Sequence, residues 1–120
     1  MRVLTNILIV VFILFFAACS KHPEIKVEYE ASQAISEFTL SYIDSNKMLK
    51  DTIIKPESNT DLWHYSMMAK KGDIVYLSGH YNDINSSLRL SIKIDGKIYK
   101  EQYSVGDTVN FMIVSGVIPY

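Results

Sequence analysis

The sequence predicts an all-β domain, an immunoglobulin-like antiparallel β-sandwich of about seven or eight strands, behind an N-terminal export signal. Three observations carry this. Apolar and polar residues alternate with a period close to two from Ile25 onward, turn-forming residues interrupt that alternation at short intervals, and an apolar run preceded by a single charge opens the chain. Period-two patterning is what a strand with one buried and one wet face requires. Short strands punctuated in this way fit a sandwich or a small barrel.

In chain order, residues 1–18 (MRVLTNILIVVFILFFAA) hold Arg2, an apolar run from Ile7 to Phe16, and Ala17-Ala18 before Cys19. That order is charged region, hydrophobic region and small-residue cleavage site. The run is short for a membrane span, which needs about 20 apolar residues, although a short uncleaved anchor is an alternative. Cys19 favours a lipoprotein signal, because acylation before cleavage requires a thiol at the first mature position. It is the only cysteine of the chain, so no disulfide can form within it. The bland alternative for a lone cysteine is a small buried hydrophobe. Residues 19–24 then read as a lipidated tether, polar and carrying Pro23. Ser20 lacks the aspartate associated with inner-membrane retention, so the expected location is the cell envelope, lipid-anchored, with the outer membrane favoured over the inner.

The rest, residues 25–120, is about one domain's length and too short for two cores. Strands are expected near 25–30, 35–43, 48–54, 62–69, 73–81, 87–95, 97–103 and 108–115. In the clearest run, Leu88, Leu90, Ile92 and Ile94 alternate with Arg89, Ser91, Lys93 and Asp95. The sharpest turn is Asp95-Gly96, a pair that tolerates the positive φ values of a type I′ hairpin. A two-residue turn sets Ile92 opposite Tyr99 and Leu88 opposite Tyr103; a bulged loop shifts that register. Residues 58–70 admit a helix, yet Trp63, Tyr65 and Met67 also share one face of a strand, and Lys70-Lys71-Gly72-Asp73 reads as a hairpin-like loop into IVYLSG.

The charge balance, 12 basic against 13 acidic residues, shows no clustered basic stripe of the kind a nucleic-acid surface carries. His64 and His80 have Asp61, Asp73 and Asp83 near them in sequence, but no spacing typical of a metal site. No glycine-rich phosphate loop and no G-x-S-x-G elbow is present. The expectation is therefore no catalytic residue, no metal and no cofactor. Of eight Tyr, one Trp and five Phe, Phe12, Phe15 and Phe16 belong to the signal. Among the others, Trp63, Tyr65, Tyr76 and Tyr81 are the candidate binding surface, with core packing as the plainer alternative.

The succession VEYE, FTLSYID, LWHYSMMAKKGDIVYLSGH, LRLSIKIDGKIYKE and VNFMIVSGVIP resembles the MmpS family, small membrane-associated proteins described as accessories of large RND-type lipid exporters. The resemblance covers nearly all of Ile25 to Pro119. Its central elements are Trp63 ahead of a strand and the Ser91–Lys97 segment. Mycobacterial members have an uncleaved membrane helix, a proline where this chain has Leu62, and a cysteine pair in the last strands. The resemblance implies a transport accessory without an active site. The expected function is a non-enzymatic envelope lipoprotein that binds or stabilises a transport or assembly partner, such as a transporter. The alternative is a small-ligand or glycan-binding module that uses an aromatic face.

Overall fold

Period-two alternation becomes eight strands in the computed structural model, which describes residues 23–106 and 111–119. The signal residues 1–18, Cys19 and the tether up to residue 22 lie outside the described residues, as do Asp107 and the first positions expected for the last strand. The strands are β1 (Ile25–Ser32), β2 (Phe38–Ile43), β3 (Leu49–Ile54), β4 (Leu62–Ala69), β5 (Ile74–Tyr81), β6 (Ser87–Ile94), β7 (Lys97–Val105) and β8 (Phe111–Val117). Every expected run is a strand, and residues 62–69 take the strand rather than the helix. No helix occurs among the described residues.

Two four-stranded antiparallel sheets form, ordered β4-β1-β6-β7 and β3-β2-β5-β8. Only β2–β3 and β6–β7 join neighbours of one sheet; the other successive strands change sheet. The architecture is an antiparallel β-sandwich of eight strands among the described residues, as expected. The Lys70–Asp73 turn is real, Gly72 taking φ 84° and Asp73 N bonding Lys70 O at 3.0 Å. It does not close a hairpin, however, because β4 and β5 belong to opposite sheets. Met67 and Ala69 in β4, and Val75 and Leu77 in β5, are buried between the sheets, each pair contributed from its own side.

The core lies between the sheets. Val27, Tyr29, Leu88, Leu90 and Ile92 come from one side, and Leu40, Val75, Leu77 and Met112 from the other, each at most 1% exposed. Burial of each aliphatic side chain stabilises the fold by about 1.5–3 kcal/mol. Gly79 lets the sheets approach at the centre, since a Cβ there would sit 2.7 Å from Leu88 Cδ2.

The β6–β7 hairpin settles the register question with both devices at once. Asp95 and Gly96 adopt φ 52° and 79°, and Ile94 pairs Lys97 across a two-residue turn. The register then slips between Ile92 and Lys93, so that Ile92 faces Lys100 and Leu88 faces Ser104. The expected Ile92–Tyr99 and Leu88–Tyr103 pairs are thus not formed, because Tyr99 is the extra residue of a bulge. Freed from cross-strand pairing, Tyr99 reaches the other sheet, where its hydroxyl donates to Val117 O at 3.0 Å.

Candidate contact surface

Alternation along β4 turns Trp63, Tyr65, Met67 and Ala69 inward and His64, Ser66 and Met68 outward. β4 and β3 are the unpaired edges at one side of the two sheets, and the space between them is filled by rings. Tyr65 stacks on Tyr29 at 6.1 Å and 16°, Tyr42 meets Tyr29 edge-on at 6.0 Å, and Tyr42 lies 4.9 Å from Tyr65 and 5.2 Å from Trp63. Such offset and edge contacts stabilise by about 0.5–1.5 kcal/mol each beyond burial. The column is also tied by hydrogen bonds. Tyr29 Oη donates to Ile43 O at 2.9 Å, and Tyr65 Oη accepts from Ser45 N at 3.3 Å.

At its outer end the column opens into a groove of about 270 Å³ walled by Ala34, Phe38, Ile54, Pro56, Leu62 and Trp63, with Lys55 and Asp61 at the rim. That is near the lower limit for small-molecule sites and suits one or two apolar side chains. Leu62, 56% exposed, forms its lip. Asp61 shapes the approach. One carboxylate oxygen accepts from Glu57 N at 2.8 Å and the other from Ser58 Oγ at 3.4 Å, so the carboxylate braces its own loop.

The four aromatic residues singled out from the sequence therefore part company. Trp63 and Tyr65 are half-buried and adjacent in the column, and Trp63 faces the groove. Tyr76 lies half-buried on the far face of the other sheet, since its neighbours Val75 and Leu77 are fully buried. Tyr81 is corrected outright: it is 1% exposed, and its hydroxyl donates to Gly106 O at 2.8 Å and contacts Ser104 Oγ at 3.0 Å. It anchors β5 to the end of β7 and offers no surface.

The outer face of the β4-β1-β6-β7 sheet is charged. Lys26 Nζ lies 3.0 Å from Glu28 Oε1, Lys93 Nζ lies 3.0 Å from Glu30 Oε1, and Arg89 Nε lies 3.5 Å from Glu101. The Lys26 ammonium bonded to Glu28 holds that carboxyl below the usual carboxylate range, helped by His64. The Glu30 carboxylate bonded to Lys93 pushes its ammonium up. Glu28, Glu30 and His64 have ligand atoms within 4.8 Å of one another, a grouping invisible in sequence because it depends on β1 pairing with β4. Each glutamate is paired with a lysine through one oxygen, so a cation here would compete with two ammonium groups. His64 and His80 stand on opposite outer faces, because Trp63 and Tyr65 on one strand, and Gly79 and Tyr81 on the other, turn inward. Chemistry that needs both histidines cannot be assembled.

Burial pushes the Tyr29 hydroxyl from its ordinary 10.0 up to about 12, with lesser effects from Tyr76, Tyr65 and Asp44. Below pH 10 the folded and unfolded chains both hold this proton. As pH rises toward 12 the unfolded chain releases it while the folded one cannot, so stability is lost in that window. Tyr29→Phe removes this component. At pH 8 the variant should be the less stable protein, having lost a hydrogen bond, and its deficit should narrow between pH 10 and 12. Urea midpoints for both proteins across pH 8–12 check this; a constant deficit contradicts it. Tyr42, whose hydroxyl burial also raises, is common to both and cancels.

No protein-family model matches this chain, and no curated protein matches it either.

Proposed function

We propose that this chain is a non-enzymatic lipoprotein of the cell envelope that works by contact, as an accessory or binding component for a membrane transport or assembly partner. The observation that carries the reading is the groove beside Trp63: an apolar cleft backed by a braced aromatic column at an open edge of the sandwich. Interfaces concentrate binding energy where aromatic residues line well-packed pockets. A preformed cleft that takes one or two apolar side chains is such a pocket, and Lys55 and Asp61 give it a polar rim.

Cys19 supplies the second half of the reading. A lipid anchor confines the domain to a membrane surface and raises its effective concentration toward membrane partners. One acyl chain gives only marginal binding of about 10⁴ M⁻¹, so multiple acylation at Cys19 is required for stable attachment. The resemblance to the MmpS family supports a transporter as the partner class.

The test uses the full chain in envelope membranes. Mass spectrometry of the native N-terminus should show an acylated Cys19, and a photocrosslinker at Leu62 should capture an integral membrane protein. Trp63→Ala should abolish that capture while circular dichroism shows the β-fold intact. An unmodified Cys19 ends the lipoprotein reading. Capture that survives Trp63→Ala ends the groove reading.

A further inference from the structure

Each sheet ends in two edge strands, and an edge presents unpaired N–H and C=O groups to any chain able to supply a strand. Three of the four edges carry ionisable side chains. β3 has Lys50 and Asp51, β4 has His64, and β7 has Lys97, Lys100 and Glu101 together with its bulge. β8, with the sequence FMIVSGV, has none, and no proline.

The hydrogen bonds at its end fix which way β8 faces. Ile118 N donates to Asp73 O at 3.0 Å, and Ile118 O accepts from Gly72 N at 3.1 Å, so residue 118 addresses the β5 side. Successive residues of an antiparallel strand address alternate sides. Met112, Val114 and Gly116 therefore also bond toward β5, while Phe111, Ile113, Ser115 and Val117 turn their backbone groups to the open edge. Tyr99 agrees with this assignment, because its hydroxyl reaches Val117 O from the edge side. Gly116 makes room for that ring, since a Cβ there would come within 2.6 Å of Tyr99 Oη. The edge is thus closed at Val117 and open, among the described residues, from Phe111 to Ser115.

We propose that this stretch pairs with the same stretch of a second copy, antiparallel about a twofold axis through Ile113. Among the described residues Phe111, Ile113 and Ser115 face the open edge, and Ile113 is the middle one of the three. Ile113 meets the partner's Ile113, Phe111 meets the partner's Ser115, and Tyr99 of each protomer bounds the pairing. A strand without charge sets no like charges against each other when it meets itself, whatever the register. A twofold axis makes the contact isologous and closed, so it ends at a dimer. Pairing also joins the outer faces of the two β3-β2-β5-β8 sheets side by side, covering part of Phe111 and Ile113, which are 51% and 46% exposed in the single copy.

The full chain, purified in detergent, should sediment as a dimer. Ile113→Lys and Ile113→Asp, each placing like charges opposite one another, should separately weaken the dimer by about tenfold or more, and an equimolar mixture of the two should recover it. Ile113→Cys should link through a short bismaleimide, the paired Cα atoms lying about 5.5 Å apart. Ser115→Cys should not, since its counterpart lies four residues away, roughly 14 Å. Because Ile113 points to solvent, these variants should keep the wild-type circular dichroism spectrum. A protein that stays monomeric, including one that instead adsorbs to phospholipid vesicles through this face, overturns the proposal. So does a dimer indifferent to both charge variants, or equal crosslinking at positions 113 and 115.

Discussion

Ile92→Asp is expected to abolish folding. Ile92 is fully buried at the middle of β6 and pairs with Tyr29 on β1. Removing its side chain costs about 2–5 kcal/mol in lost transfer energy and cavity. Leaving an unpaired carboxylate in its place costs several kcal/mol more, or forces it to hold a proton. The total rivals the roughly 5–15 kcal/mol that a domain has to lose. The control lies on the neighbouring strand: Ile98, 60% exposed, should accept aspartate within about 0.5 kcal/mol, as surface substitutions generally do. Circular dichroism and urea melts of the two variants decide the matter. A folded, stable Ile92→Asp protein would mean that β6 does not face the opposite sheet.

That contrast between Ile92 and Ile98 also shows what could be read from the chain. Ile92 belongs to a run in which Leu88, Leu90 and Ile92 alternate with polar residues, and period two alone assigns it to the core. The same reasoning located all eight strands, because local alternation and turn residues are written in contiguous sequence. Which strands become neighbours is not. β1 lies between β4 and β6, and nothing local to Ile25–Ser32 announces partners so far along the chain. The Lys70–Asp73 loop looks like a hairpin for the same reason: a tight turn fixes the local path without fixing which sheet receives the next strand.

The candidate surface was legible in part. Trp63 and Tyr65 share a face by simple alternation, so their adjacency follows from sequence. That they meet Tyr42 and Tyr29, and that Trp63 walls a groove, depends on β4 and β2 facing each other across the sandwich. Tyr81 sits on the inward phase of β5 with Val75 and Leu77, a phase the sequence already displays. Its aromatic type groups it with the candidate surface, but it packs in the core and Ser104 and Gly106 satisfy its hydroxyl inside the fold. The Tyr99 bulge had no readable signal, because Asp-Gly suits an unbulged hairpin equally well.

Tyr29→Ala should be the second most damaging change, and it tests whether the aromatic column holds the groove. Tyr29 is fully buried, stacks on Tyr65, meets Tyr42 edge-on, donates to Ile43 O and accepts from Tyr76 N at 3.4 Å. Truncating a buried aromatic residue costs about 3–5 kcal/mol, and two ring contacts worth about 0.5–1.5 kcal/mol each vanish with it. Tyr29→Phe keeps the rings and should cost about 1–3 kcal/mol for the hydroxyl's two hydrogen bonds. The two variants separate packing from hydrogen bonding, and the chain supplies its own probe, since Trp63 is its only tryptophan. With Tyr29 gone, Tyr42 loses the ring behind it, and Trp63, which leans on Tyr42 at 5.2 Å, loses its backing. Fluorescence of the folded fraction should therefore shift to the red in Tyr29→Ala and stay unchanged in Tyr29→Phe, with urea melts giving the two stability losses. Unchanged Trp63 emission in a folded Tyr29→Ala protein would show that the groove wall stands without the column, and that its shape owes more to Phe38, Ile54 and Pro56.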